Sequence, residues 1–169
     1  MIIAWTLIGT LIIVVLIRIL TDIEINRLKQ EIPKAPETVM KEKVLIVDDD
    51  EDFAHSVSLM LSDDYQTITA HDRNEAVLAI RNGGVHLALV DLKLGRESGM
   101  RLLQTIKNVS PETVCIIVTG YGTDKTEEQS MKSGAWSYMV KPVDPKILFD
   151  VIRSGLQWAH NGHIKQKTV

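Results

Sequence analysis

Asp48-Asp49, Asp91, Thr119 and Lys141 are the residues of this sequence whose types and placement suggest chemistry. Each closes an apolar run: Val44–Val47, Leu87–Val90, Val114–Val118 and Trp136–Val140 respectively. A carboxylate can attack phosphorus and carry the phosphoryl group as an acyl phosphate. Carboxylates held within a few ångströms raise one another's pKa values. Mg²⁺ removes that cost, and it favours a few carboxylates, water and phosphate oxygens. A cation, a lysine and a hydroxyl stabilise the charge on a transferring phosphoryl group. The set therefore offers a nucleophile, a metal site, a positive clamp and a hydroxyl donor. Each member also has a plainer use. Asp48–Asp50 or Asp91 can cap a turn, Thr119-Gly120 can end a strand, and Lys141 can be a solvated lysine before a proline. Their coincidence at the ends of successive apolar runs favours chemistry.

The elements that must position them follow from periodicity. Continuous apolar runs bounded by turn signals suit strands buried on both faces. The strands expected are Val44–Val47, Tyr65–Ala70, His86–Val90, Val114–Val118 and Trp136–Val140. Between them lie helical stretches. Phe53, Val57, Met60 and Leu61 recur at helical spacing behind the acidic first turn Asp50–Asp52, where the helix dipole favours negative charge. Asn74–Asn82 stops at Gly83-Gly84. Gly99–Lys107 carries Leu102, Leu103 and Ile106. Thr123–Lys132 has only Met131 as an apolar residue. From Pro145, Ile147, Leu148, Val151, Ile152 and Leu156 give a last core face. Strands alternating with helices predict an α/β, doubly wound five-stranded parallel sheet with all carboxyl ends on one edge. Ligands bind at that edge.

The 169 residues carry a net charge of −3, and no basic stripe suggests a nucleic-acid surface. Cys115, the single cysteine, lies in an apolar run and reads as a buried core thiol. Residues Ile2 to Leu20 are nearly all apolar, with Arg18 the only charge, placed near the end where it can snorkel. The run is long enough for one transmembrane helix. A cleaved signal peptide fits poorly, because no basic region precedes the run and no small-residue cleavage site follows it. A buried soluble helix usually keeps a polar face. Arg18, Arg27, Lys29, Lys34, Lys41 and Lys43 all lie at or after its carboxyl end, which places that side in the cytoplasm of an inner-membrane, single-pass protein. The expected organisation is an anchor over 1–20, a solvated linker over 21–43, a domain over 44–160 and a polar tail over 161–169. The apolar spacing of the linker is too short and irregular for a coiled coil.

The motifs resemble those of the receiver domain of bacterial two-component response regulators. The matching stretches are Val44-Leu-Ile-Val-Asp-Asp-Asp50, Val90-Asp-Leu-Lys-Leu94 with Gly99 eight residues beyond Asp91, Val118-Thr-Gly120, and Gly134-Ala135 leading to Tyr138-Met-Val-Lys-Pro142. The resemblance implies a flavodoxin-like fold with strand order 2-1-3-4-5. It implies that Asp91 accepts a phosphoryl group from a histidine kinase or phosphotransfer protein. Asp49, Asp91 and the backbone carbonyl of Lys93 would bind Mg²⁺, with Asp48 acting through water. Lys141 would contact the phosphoryl group, Thr119 and Tyr138 would form the switch, and Lys141-Pro142 would be cis. Two departures stand out. Gly95 occupies a position where the family usually has proline, which predicts a looser loop, and the fourth helix is unusually polar. No effector stretch follows, so a stand-alone receiver without nucleic-acid output is expected, not an enzyme in its own right.

Other functions fit less well. A haloacid-dehalogenase-like phosphatase would need a second aspartate two positions after the nucleophile, where this chain has Lys93. A receiver-like scaffold at the membrane that is never phosphorylated remains the alternative, although such domains normally lose a residue that this chain keeps. His55, His71, His86, His160 and His163 lie in no phosphotransfer context and read as surface or packing residues.

Overall fold

The computed structural model of the chain describes residues 17–24 and 41–166, with side chains described through Gly162. Two compact units separate at residues 40 and 41. In the first, residues 17–24 are helical and exposed. This helix passes the expected boundary at Leu20. The rest of the expected anchor and most of the linker lie outside the described residues. Among the described residues, no helix is long and apolar enough to cross a membrane.

The second unit alternates strand and helix: β1 (Lys43–Val47), α1 (Glu51–Leu61), β2 (Gln66–Ala70), α2 (Arg73–Arg81), β3 (Val85–Val90), α3 (Gly99–Val109), β4 (Val114–Thr119), α4 (Asp124–Lys132), β5 (Ser137–Val140) and α5 (Pro145–Gln166). The strands form one parallel sheet in the order β2-β1-β3-β4-β5. The expected flavodoxin-like topology is therefore the one observed.

Alternation along each strand divides the core. Leu45 and Val47 point to the face covered by α2 and α3, where they pack with Ile80, Leu102, Leu103, Ile106 and Ile117. Val44 and Ile46 point to the opposite face, with Val57, Leu61, Ile116, Leu148, Ile152 and Leu156 from α1, β4 and α5. Full burial of one such side chain contributes about 1.5–3 kcal/mol. The sheet is thus fixed in register, and a one-residue slip would exchange its two faces.

Four details differ from the sequence reading. Residues 93–98 are not a loose loop. Lys93–Leu94 pairs antiparallel with Glu97–Ser98, and Gly95 turns the chain with a φ of 59°. Met131 is exposed, and the buried residue of α4 is Ser130, whose hydroxyl donates to the Thr126 carbonyl at 2.7 Å. Ile147 is also exposed, because the α5 core stripe runs through Leu148, Ile152 and Leu156. Finally, α5 continues to Gln166, into the stretch read as a polar tail. His160, just before that extension, lies 3.0 Å from Glu42.

Candidate functional site

The carboxyl ends of β1, β3, β4 and β5 place the expected residues along one sheet edge. Each is fixed by its strand's ladder as well as by its side chain. Asp48 continues β1 by donating its N–H to Ala70 O at 3.1 Å, and Asp91 continues β3 by donating to Val47 O at 2.9 Å. Lys141 continues β5 by donating to Thr119 O at 2.9 Å. Backbone pairing carried one residue past the strands thus aims all of these side chains at the same space.

Asp48 is 2% exposed and Asp91 is 6% exposed. Buried carboxylates require partners. Asp48 Oδ1 accepts the Asp50 N–H at 3.1 Å, and Asp91 Oδ1 accepts the Lys93 N–H at 3.0 Å. The Lys141 ammonium serves both remaining oxygens, at 2.5 Å from Asp48 Oδ2 and 3.2 Å from Asp91 Oδ2. It also lies 3.9 Å from the centroid of the Phe53 ring. Asp49 is exposed and accepts the Gly95 N–H at 2.9 Å. Asp50 serves α1 instead, as the N-cap accepting from the Phe53 N–H at 3.1 Å.

Charge and burial compete here. Burial pushes Asp48 above the usual carboxylate range, against the hydrogen bond from Lys141. Burial alone would lower Lys141, but the hydrogen bond and charge of Asp48, with the charge of Asp91, raise it overall. The lysine therefore stays protonated between two carboxylates.

Oxygens of Asp48, Asp49 and Asp91 lie within 4.8 Å of one another. An all-oxygen donor set with two buried carboxylates suits a hard divalent cation such as Mg²⁺. Lys93, expected to contribute its carbonyl, opens the hairpin next to Asp91. Thr119 is fully buried, and its hydroxyl accepts the Tyr121 N–H at 3.3 Å. Tyr138, expected beside Thr119 in the switch, is half-buried and has its hydroxyl 2.8 Å from Thr126 Oγ1. The Lys141-Pro142 bond is cis.

Sequence reasoning missed three contributors. Phe53 reads as a core residue, yet its ring faces the Lys141 ammonium. Gly95 reads as a loosening substitution, yet its N–H holds Asp49. His71 has no chemical context in the sequence, yet its Nδ1 lies 3.2 Å from the Asp48 carbonyl. Only the position of Phe53, three residues after Asp50, carried any signal.

Gly99 closes the site from below. Its N–H donates to Leu92 O at 2.8 Å, and a Cβ built on it would overlap the Asp91 carbonyl.

Comparison with known proteins agrees with this geometry. A family model described as the response regulator receiver domain matches residues 44–153. The response regulator protein PilR of Pseudomonas aeruginosa is 31% identical over 118 residues, which is 69% of this chain and 26% of PilR. This chain spans about a quarter of the length of the curated relatives it matches. A CheY-like receiver domain protein from Methanospirillum hungatei JF-1 superimposes with a TM-score of 0.70 at 32% identity, covering 72% of this chain and 98% of that one. A response regulator from Burkholderia pseudomallei, solved with a phosphorylated aspartic acid, calcium ion and citrate, gives 0.64 at 26% identity over 76% of each chain.

Proposed function

Since this chain belongs to the response regulator receiver domain family, we propose that it is a membrane-anchored phosphoacceptor in which Asp91 takes a phosphoryl group from a histidine kinase or phosphotransfer protein. The observation that carries this reading is the setting of Asp91. Its carboxylate is nearly enclosed, the Lys141 ammonium lies 3.2 Å from Oδ2, and two further carboxylates lie close by.

An Asp91 carboxylate oxygen attacks the phosphorus of the donor phosphohistidine. The O–P bond forms, the P–N bond breaks, and the imidazole leaves with the bonding pair and takes up a proton. Lys141 supplies positive charge beside the incoming phosphoryl oxygens. Asp48, Asp49, Asp91 and the Lys93 carbonyl would hold Mg²⁺, which supplies further charge stabilisation when bound. Water attacking the phosphorus would then break the Asp91 O–P bond, release inorganic phosphate and return the carboxylate, so the chain would catalyse its own phosphotransfer and dephosphorylation.

Thr119 and Tyr138 would carry the change outward to a partner-binding surface. The apolar run over 2–20 would confine the domain to the cytoplasmic face of the inner membrane. Signalling would then proceed through protein partners.

Incubating the chain with a small phosphodonor and Mg²⁺ should add one base-labile phosphate. Asp91→Asn should abolish it, and undiminished labelling of that variant would overturn the reading.

A further inference from the structure

Arg73, Arg96 and Arg101 line a single cleft of about 580 Å³, together with Glu97 and Ser98. The cleft lies between the start of α2 and the hairpin that leads into α3. It is separate from the acidic residues at the strand ends.

Three features of the cleft favour an anion. First, among the described residues Arg96 and Arg101 have no ion-pair or hydrogen-bond partner for their guanidinium groups, so three arginines share one cleft with a single carboxylate, Glu97, on its lining. Second, Arg73 is already oriented. Its Nη2 donates to Thr105 Oγ1 at 3.1 Å, while its Nε is buried and donates to nothing. Third, α3 begins at this cleft, yet its N-cap, Ser98, makes no side-chain capping bond and its first turn contains no acid. Helix amino termini and guanidinium groups are both suited to phosphate oxygens.

We propose that this cleft binds the phosphate group of a small phosphomonoester, with Arg73, Arg96 and Arg101 supplying the charge. Glu97 on the same lining discriminates against bare anions and suits a ligand with a hydroxyl beside its phosphate. Binding would also reach the hairpin, because Arg96 and Glu97 directly follow Gly95, whose N–H holds Asp49. The ligand would thereby steady the loop next to the acidic site. The binding itself does not depend on the phosphoacceptor reading.

The test uses the full chain in zwitterionic nanodiscs, titrated with glycerol 3-phosphate and followed by calorimetry and NMR. Saturable binding is expected, with shifts at Arg73, Arg96–Ser98 and Arg101. Arg96→Gln and Arg101→Gln should each weaken it roughly tenfold, as for a lost charged hydrogen bond. Arg96 is exposed and unpartnered among the described residues, so its variant tests binding without a folding defect. Asp91→Asn should bind as well as the parent chain, which separates this cleft from the acidic site. Adding phosphatidic acid to the discs distinguishes the source: competition assigns the phosphomonoester to a lipid headgroup, and its absence assigns a soluble ligand. No saturable binding at millimolar ligand, binding that survives both arginine variants, or binding lost in Asp91→Asn would overturn the proposal.

Discussion

The Tyr138 hydroxyl sits 2.8 Å from Thr126 Oγ1 and joins β5 to the first turn of α4. Thr126 Oγ1 also lies 2.9 Å from the Thr123 carbonyl, and either hydroxyl can be the donor in the contact with Tyr138. The same threonine oxygen accepts the Thr123 N–H at 2.9 Å in the helix's capping box. The ring that should report on Asp91 is thus held by the cap of the preceding helix. Thr126→Val should cost about 1–2 kcal/mol by removing both interactions, read as a lower midpoint in chemical denaturation. Tyr138 NMR resonances in this variant should also move toward those of the parent chain saturated with beryllofluoride and Mg²⁺. Resonances that stay in place would show that this bond does not hold the resting state.

Lys93 and Tyr121 form a second pair over the site. The Lys93 ammonium donates to the Tyr121 hydroxyl at 3.1 Å and lies 4.6 Å from its ring centroid. The hydrogen bond it donates to Tyr121 raises the pKa of the exposed lysine. The pair lies two residues beyond Asp91 and Thr119, so it would flank the path of water to an acyl phosphate formed as proposed. Replacing both with alanine should change the dephosphorylation rate several-fold while the circular dichroism spectrum stays the same. An unaltered rate would place the water route elsewhere.

Strand positions and site residues were legible because the two signals reinforce each other. An apolar run long enough to cross a buried sheet must end in a polar residue, and parallel strands bring those ends together. The hairpin at 93–98 was illegible, because two-residue strands have no periodicity to detect. Tyr138's partner was hidden too, because Thr126 belongs to a helix without an apolar stripe. Likewise, Met131 looked like the core residue of α4, while the buried position is filled by Ser130, whose hydroxyl is satisfied by its own helix.

Cys115 on β4 is fully buried, and burial pushes its thiol up to about 11. The unfolded thiol titrates near its usual value of about 8.5. Between those values the unfolded chain has lost the proton that the folded chain keeps, so stability falls as pH rises through that window. Thiol reagents at pH 8 should label the native protein very slowly and the denatured protein at once. Cys115→Ala should remove this part of the alkaline destabilisation. Rapid labelling of the native protein would show that β4 opens far more readily than its packing suggests.

The proposed anchor over residues 1–20 should act by confinement and leave the chemistry unchanged. All the acidic-site residues lie beyond Lys43, and residues from Lys41 form their own compact unit. A chain starting near Met40 should therefore fold and accept phosphate from a small donor at the parental rate. Tethering to a membrane surface would keep the acceptor close to membrane-embedded kinases and raise the effective concentration. Transfer from such a kinase in liposomes should fall when residues 1–39 are removed. Equal slowing with both donors would mean that the amino-terminal segment belongs to the fold.

The contact between Gly99 and the backbone of Asp91 gives the site a direction. With no room for even a methyl group between α3 and the acceptor's peptide, that helix works as an anvil. A pull on the Asp91 side chain cannot be absorbed by recoil of its own backbone. Movement is left to the opposite side, where Lys141 bridges Asp48 and Asp91 and Thr119 is buried at the end of β4. If Asp91 is phosphorylated as proposed, the resulting movement would be steered toward one flank of the sheet by the absence of a single carbon atom on the other.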